Sequence, residues 1–176
     1  IQNKPKDFSF CTTASGGTYG LIIDCEGVLG GNGSLDLGCR ELGGLIWRKN
    51  GRVLVGVETF YCDDKLLEST LLQVMNHLKG YRCSGKIPVI TFGISDKKMF
   101  YAELHKHSSG FVSKFDKMFE FVDKHVTLEG TRGHLANIAR ALNVKVVQPR
   151  HKAVNDARTL LNVLAMILYE TGDFVM

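Results

Sequence analysis

The chain contains no Cys-x-x-Cys pair, and its five cysteines, Cys11, Cys25, Cys39, Cys62 and Cys83, form an odd set. A reduced, intracellular protein that is not secreted is therefore the expectation. No apolar run approaches the roughly 18 residues of a membrane span, so no membrane partner is expected. No N-terminal segment places a basic stretch, an apolar run and a cleavage site in order. Gly-x-x-x-x-Gly-Lys is missing, and so is a complete Gly-x-Gly-x-x-Gly. The glycine-rich stretch Gly27–Gly33 is thus read as a loop, not a phosphate cradle. Cys83, His105 and His107 match no standard zinc-finger spacing. No internal repeat or low-complexity tract interrupts the chain.

What remains is an ordinary globular composition, 176 residues with 44% hydrophobic and 23% charged. That is enough chain to bury a real core in one domain. Residues 1–18 read as a polar N-terminal arm and residues 19–176 as the single domain. A net charge of +4 and a pI near 8.8 suit a polyanionic partner without requiring one.

Tyr19–Cys25 is short, apolar and β-branched, which predicts a buried strand. Arg40–Arg48 and Arg52–Tyr61 predict two more strands, joined at Lys49-Asn50-Gly51, where Asn-Gly takes positive φ readily. Asp63 or Asp64 can cap a helix running to about Lys79. Ile87–Phe92 predicts a buried strand and Ser95–Lys106 a helix. Phe115–Leu128 reads as a short helix followed by a strand. Thr131–Leu142 is a helix stopped by Asn143, Lys145–Gln148 a brief extended piece, and Ala153–Glu170 a long apolar helix. This order predicts an α/β domain with a mixed central sheet flanked by helices.

Four acids and a histidine stand out against that frame. Asp24 and Glu26 lie two apart on the first strand, so both leave the same face. Like charges on one face repel unless a cation sits between them, and oxygen-rich sites favour Mg²⁺ or Mn²⁺. Asp96 follows the next apolar strand, in the first turn of a helix. There it is either a structural first-turn acid or a further ligand. Asp156 lies in the first turns of the last, otherwise apolar helix, with the same two options. Two metals about 3.5–4 Å apart can clamp the attacking and leaving oxygens of an in-line phosphoryl displacement. His151, in the loop before that helix, is the candidate base, since an unperturbed imidazole titrates near neutrality. Basic residues crowd these motifs. Lys97 and Lys98 flank Asp96, while Lys145, Arg150, Lys152 and Arg158 flank His151, which fits contacts to a phosphate backbone; a merely solvated charged surface is the alternative for each. Phe60, Tyr61, Phe92 and Phe100 read first as core residues, Phe100 facing inward with Met99 and Leu104; stacking of a terminal base is their alternative, for which Phe100 is favoured.

The order Asp24-x-Glu26, Asp96, His151-x-Ala153-x-x-Asp156-Ala157 resembles the DEDDh 3′–5′ exonucleases of the ribonuclease T and proofreading-exonuclease superfamily. The resemblance runs from about Gly20 to Leu168 and includes Glu41-Leu-Gly43, similar to the family's Glu-Ile-Gly. It implies a ribonuclease-H-like fold and release of nucleoside 5′-monophosphates from a 3′ end, with RNA favoured over DNA. It also implies two Mg²⁺ or Mn²⁺ ions. Asp24, Glu26 and Asp156 would hold the first, Asp24 and Asp96 the second, and His151 would be the general base. Gly27 and Val28 would lie near the terminal sugar. Gly27 after the acid pair resembles viral members, from arenaviral nucleoproteins and coronaviral proofreading enzymes. Asp24-Cys-Glu26 is similar to cellular interferon-induced and RNA-processing members. The zinc cluster of the arenaviral domains has no counterpart here. Two other functions use the same fold: a non-catalytic RNA-binding or adaptor module, and a ribonuclease-H-like endonuclease.

Overall fold

The computed structural model describes residues 19–29, 35–50, 53–63, 67–79, 86–92, 94–122 and 134–171. Five strands form one sheet in the order β3-β2-β1-β4-β5. β1 (Tyr19–Leu29), β2 (Leu35–Asn50) and β3 (Val53–Asp63) form an antiparallel meander. β4 (Ile87–Ile90) runs parallel to β1, and β5 (Phe119–Val122) runs parallel to β4. The helices are α1 (Leu67–Leu78), α2 (Ile94–Ser108), α3 (Val112–Met118), α4 (Leu135–Ala141) and α5 (Ala153–Thr171). A single 3-10 turn, Ser109–Phe111, separates α2 from α3.

Side-chain alternation sorts the core into two layers. Leu21, Ile23, Cys25, Leu42 and Ile46 point to one face and pack with residues of α1, α2 and α3, including Leu71, Phe100, Leu104 and Phe115. Ile22, Leu45 and Trp47 point to the other and pack on α4 and α5 through Ile138, Ala157, Leu160 and Leu164. On this second face the β1–β2 rungs change character along the strands: Gly20 opposite Trp47, Ile22 opposite Leu45, Asp24 opposite Gly43, Glu26 opposite Glu41. At the first rung a Cβ on Gly20 would lie 2.2 Å from Trp47 Cζ2, so the glycine makes room for the indole. The layer thus begins apolar and ends acidic.

Several boundaries differ from the sequence expectation. β1 does not end at Cys25 but continues to Leu29, so Gly27 and Val28 are strand residues. Register shifts on either side of Gly27 let the pairing persist to Leu29, as β-bulges do. β2 begins at Leu35, five residues before Arg40, because it follows that longer partner. Asp63 is the last residue of β3, and Asp64 lies outside the described residues, so the expected cap of α1 is not described. The turn residues Gly51 and Arg52 lie outside them too, although Asn50 and Val53 pair across the hairpin. The helix and strand expected within Phe115–Leu128 appear as α3 and β5, with the helix starting at Val112. The extended piece expected at Lys145–Gln148 forms no strand. The Val147 N–H donates instead to Thr159 Oγ1 at 3.0 Å.

Asn143 ends α4 as expected. It adopts φ 55°, its N–H donates to Arg140 O, and the Val144 N–H donates to Ala139 O. This is the pair of bonds that closes a Schellman motif, and Val144 packs on the core behind it. The arm at 1–18 lies outside the described residues. Among the described residues no helix is long and apolar enough to cross a membrane.

Candidate active site

The acidic end of the second layer opens into a cleft of about 170 Å³ lined by Asp24, Asp96, Asp156, His151 and Arg150, with Phe92, His134, Leu135, Ala136, Val146 and Thr159 completing its walls. A larger hollow of about 260 Å³ lies between β3 and α1, but its lining contains no carboxylate. The chemistry is concentrated in the smaller one.

Each acid arrives from a different element. Asp24 and Glu26 follow Ile22 on the α5-facing side of β1, as their spacing of two demands. Asp96 sits in the first turn of α2, almost wholly buried. Its Oδ1 accepts the Cys25 N–H at 2.9 Å. Among the described residues β1 pairs with β4 at Leu21 and Ile22, and beyond that pairing the carboxylate satisfies a strand N–H. Asp156 lies in the first turn of α5, half-buried. His151 occupies the exposed turn before α5 at φ 64°. A left-handed conformation costs a non-glycine residue about 1–2 kcal/mol, and such strain is retained where the surroundings over-determine it. Here Asn155 Nδ2 donates to Pro149 O at 3.1 Å, and Thr159 Oγ1 holds Val147, so the turn is fastened to the helix that follows.

These residues converge. One ligand atom each from Glu26, His151 and Asp156 lie within 4.8 Å of one another. Burial holds the Asp24 carboxyl well above the usual range, and the charges of Asp96, Glu26 and Asp156 push it further. Burial also raises Glu26 from 4.5 to about 7; Asp156 and Asp96 add to the shift, and a hydrogen bond with Asp24 partly offsets it. Asp24 Oδ2 is buried without a hydrogen-bond partner among the described residues. A buried acceptor left unmade costs about 1–3 kcal/mol, more when charged. A hard divalent cation answers both problems, supplying the missing partner for Asp24 and the countercharge for the cluster. The carboxylate oxygens of Asp24, Glu26 and Asp156 suit such a hard cation.

The residues expected to touch substrate are placed less uniformly. Arg150 lines the cleft, and Lys152 is exposed in the same turn. Gly27 is exposed at the bulge after Glu26; the side chain of Val28 lies outside the described residues. Lys97 stands on α2 with its ammonium 6.0 Å from the Phe121 ring and is not part of the cleft lining. Phe100 is a correction. It is fully buried in the first layer and packs against Tyr101, Phe115 and Phe121, so no face of its ring is open to a base. It lies one helical turn after Asp96 on the same face of α2, where that face packs in the core. Phe92 is the aromatic residue that does line the cleft. Sequence reasoning missed His134, exposed at the cap of α4, and Thr159, four residues after Asn155 and bonded to its carbonyl. Neither stands in a motif. It also missed what Glu41 does. Glu41 Oε1 accepts the Ala153 N–H at 2.9 Å.

No family model matches the chain, and no curated protein matches it. Solved structures do. A 3′-exonuclease described in its 3′-end-specific recognition of a histone mRNA stem-loop is 12% identical, with a TM-score of 0.62 over 94% of this chain and 68% of that one. A full-length 3′-exonuclease is 12% identical, with a TM-score of 0.60 over 88% and 83%. The nuclease domain of 3′hExo, described as a DEDDh family member bound to rAMP, is 12% identical, with a TM-score of 0.56 over 93% and 98%. The fold is ribonuclease-H-like, a mixed sheet flanked by helices.

Proposed function

We propose that this chain is a divalent-metal-dependent 3′–5′ exonuclease that hydrolyses phosphodiester bonds from nucleic-acid 3′ ends and releases nucleoside 5′-monophosphates. The observation that carries this reading is that Asp24, Asp96, Asp156 and His151 line one cleft, with a ligand atom of Glu26 within 4.8 Å of those of His151 and Asp156 and an Asp24 oxygen buried without a hydrogen-bond partner among the described residues. Asp24, Glu26 and Asp156 would hold one Mg²⁺ or Mn²⁺ ion, and Asp24 with Asp96 a second. When bound, such a pair supplies charge to both the attacking and the leaving oxygen of an in-line displacement.

The protein's own groups do the rest. His151 takes the proton of the attacking water at an imidazole nitrogen, and its exposed turn gives that proton a path to solvent. Arg150 and His134 face the phosphates from the rim. Phe92, Leu135 and Val146 give the terminal nucleoside an apolar wall that excludes water from the scissile bond. RNA is the favoured substrate, by analogy with the fold neighbours described with a histone mRNA stem-loop and with rAMP.

A 5′-labelled oligonucleotide with Mg²⁺ or Mn²⁺ tests the reading. The expected result is a ladder shortening from the 3′ end, lost in Asp24→Ala and His151→Ala. Removing a positioned general base costs roughly 10²- to 10⁴-fold. Full activity in either variant would overturn the assignment of residues. Cleavage of a covalently closed circle would identify an endonuclease instead. Tight RNA binding without hydrolysis in either metal would identify a binding module. Parallel single- and double-stranded RNA and DNA substrates decide the preference.

A further inference from the structure

Glu41 stands directly opposite Glu26 in the β1–β2 register, on the sheet face covered by α5. It is a fifth carboxylate at the acidic end of that face, yet it is absent from the group whose ligand atoms converge, Glu26, His151 and Asp156. Its Oε1 is engaged elsewhere, accepting the Ala153 N–H at 2.9 Å across 112 residues of sequence. That N–H is the first of α5, and the first N–H groups of a helix have no acceptor within it. A carboxylate there satisfies the donor and meets the positive end of the helix dipole.

Gly43, two residues along on the same face, completes the device. A Cβ on Gly43 would stand 2.3 Å from Val154 N and 2.6 Å from the Ala153 carbonyl carbon. The bare backbone at Gly43 lets the first turn of α5 approach the strand, and the Glu41 side chain holds it there. Ala153 is itself fully buried. His151 lies two residues before it and Asp156 three after, and the His151 turn is bonded to α5 through Asn155 and Thr159. Whatever fixes the Ala153 N–H therefore fixes the base and one acid together.

We propose that Glu41 is a positioning residue of this site. It touches neither substrate nor cation, and it sets where His151 and Asp156 stand by holding the first N–H of α5 against β2. The inference rests on the exonuclease reading for its kinetic consequence but not for the contact itself.

Three substitutions in the full chain separate this role from that of a ligand. Glu41→Gln keeps an acceptor oxygen at the same reach and loses the charge. Glu41→Asp keeps the charge and withdraws the oxygen by one methylene. Glu41→Ala removes both. The expected order of kcat on a 3′-end substrate is wild type and Gln together, with Asp and Ala together and lower by roughly 10- to 100-fold, the usual cost of losing an outer-shell partner. KM should stay nearly unchanged. Mn²⁺ affinity, read by electron paramagnetic resonance with the metal alone, should fall in the same order. The opposite order, with Asp near wild type and Gln near Ala, would make Glu41 a charged ligand and overturn the proposal. So would wild-type kcat and Mn²⁺ affinity in Ala. The amide exchange rate of Ala153 supplies a readout independent of activity. Faster exchange in Asp and Ala but not in Gln supports the proposal; equal exchange in all four proteins overturns it. If the wild type degrades no substrate, the exonuclease reading falls, and the exchange rates still decide the contact. If Ala does not fold, the Asp–Gln contrast decides alone.

Discussion

The two faces of the sheet are built from the same strands and have opposite economies. On the face covered by α1, α2 and α3, Leu21, Ile23 and Cys25 of β1 meet Phe100, Leu104 and Phe115, so the strand's side chains there close an apolar core. On the face covered by α4 and α5, Ile22 begins in the same way, and then Asp24 and Glu26 take the positions where two further apolar residues would have closed the core. One face stores stability. The other gives some up at its far end, where burial and mutual repulsion raise the Asp24 and Glu26 carboxyls. Like charges held together at a cost to the fold are the usual mark of a functional site.

Breaking each face in turn should give opposite signatures. Asp24→Asn should lower activity by more than about 100-fold, the upper end of what losing even an outer-shell partner costs, while the metal-free protein melts no lower than wild type because repulsion has been relieved. Phe100→Ala should do the reverse. It should destabilise by about 3–5 kcal/mol, as large-to-small changes at buried aromatics do, and leave the chemistry of the remaining folded fraction intact. Kinetics at low temperature and thermal melts of the two variants check the pair. Equal losses of stability in both would erase the distinction between the faces.

Gly43→Ala tests the junction where the acidic end meets α5. The added methyl has no room, so we expect about 1–3 kcal/mol of destabilisation, with a loss of activity beyond what the unfolded fraction explains, since Ala153 and Val154 must move. Chemical denaturation and a kcat corrected for folded protein measure the two effects. A wild-type denaturation midpoint would mean that the backbone yields elsewhere.

The smallest effect is electrostatic. Glu26 titrates near 7 in the fold against an ordinary 4.5, so the folded chain holds this proton more tightly than the unfolded one. That contribution to stability is fully present below about 4.5 and is lost as pH rises through about 7. In the presence of chelator, Tm should therefore fall between about pH 5 and about pH 8, and Mn²⁺ should raise Tm more at the upper end than at the lower. A flat profile, or equal metal effects at both ends, would remove the acidic face's special character.

Much of this was legible in the chain. The alternation of Leu21 to Glu26 predicts that Asp24 and Glu26 share a face, because a regular strand has a period of two. Helical spacing likewise places Asp156 early in α5, and Asn143 predicts the end of α4 through its tolerance of left-handed backbone. For Phe100 the core reading holds and only the stacking alternative fails. Which side of α2 lies against the sheet depends on how that helix docks, and proximity to Asp96 in sequence says nothing about it. The continuation of β1 through Gly27 and Val28 was hidden because glycine signals a loop locally and a bulge only when a partner strand is present.

By itself the sequence determined which side chains could do chemistry and on which element each one rides, since those follow from residue type and local period. Tertiary structure alone decided that Asp96 reaches the Cys25 N–H, that His151 is held in a left-handed turn, and that Glu41 is spent on the first N–H of α5. Two of these are contacts across 71 and 112 residues, and the third is a backbone state its surroundings impose. Such features exist only when separate elements are packed together, because no local propensity encodes the distance between them.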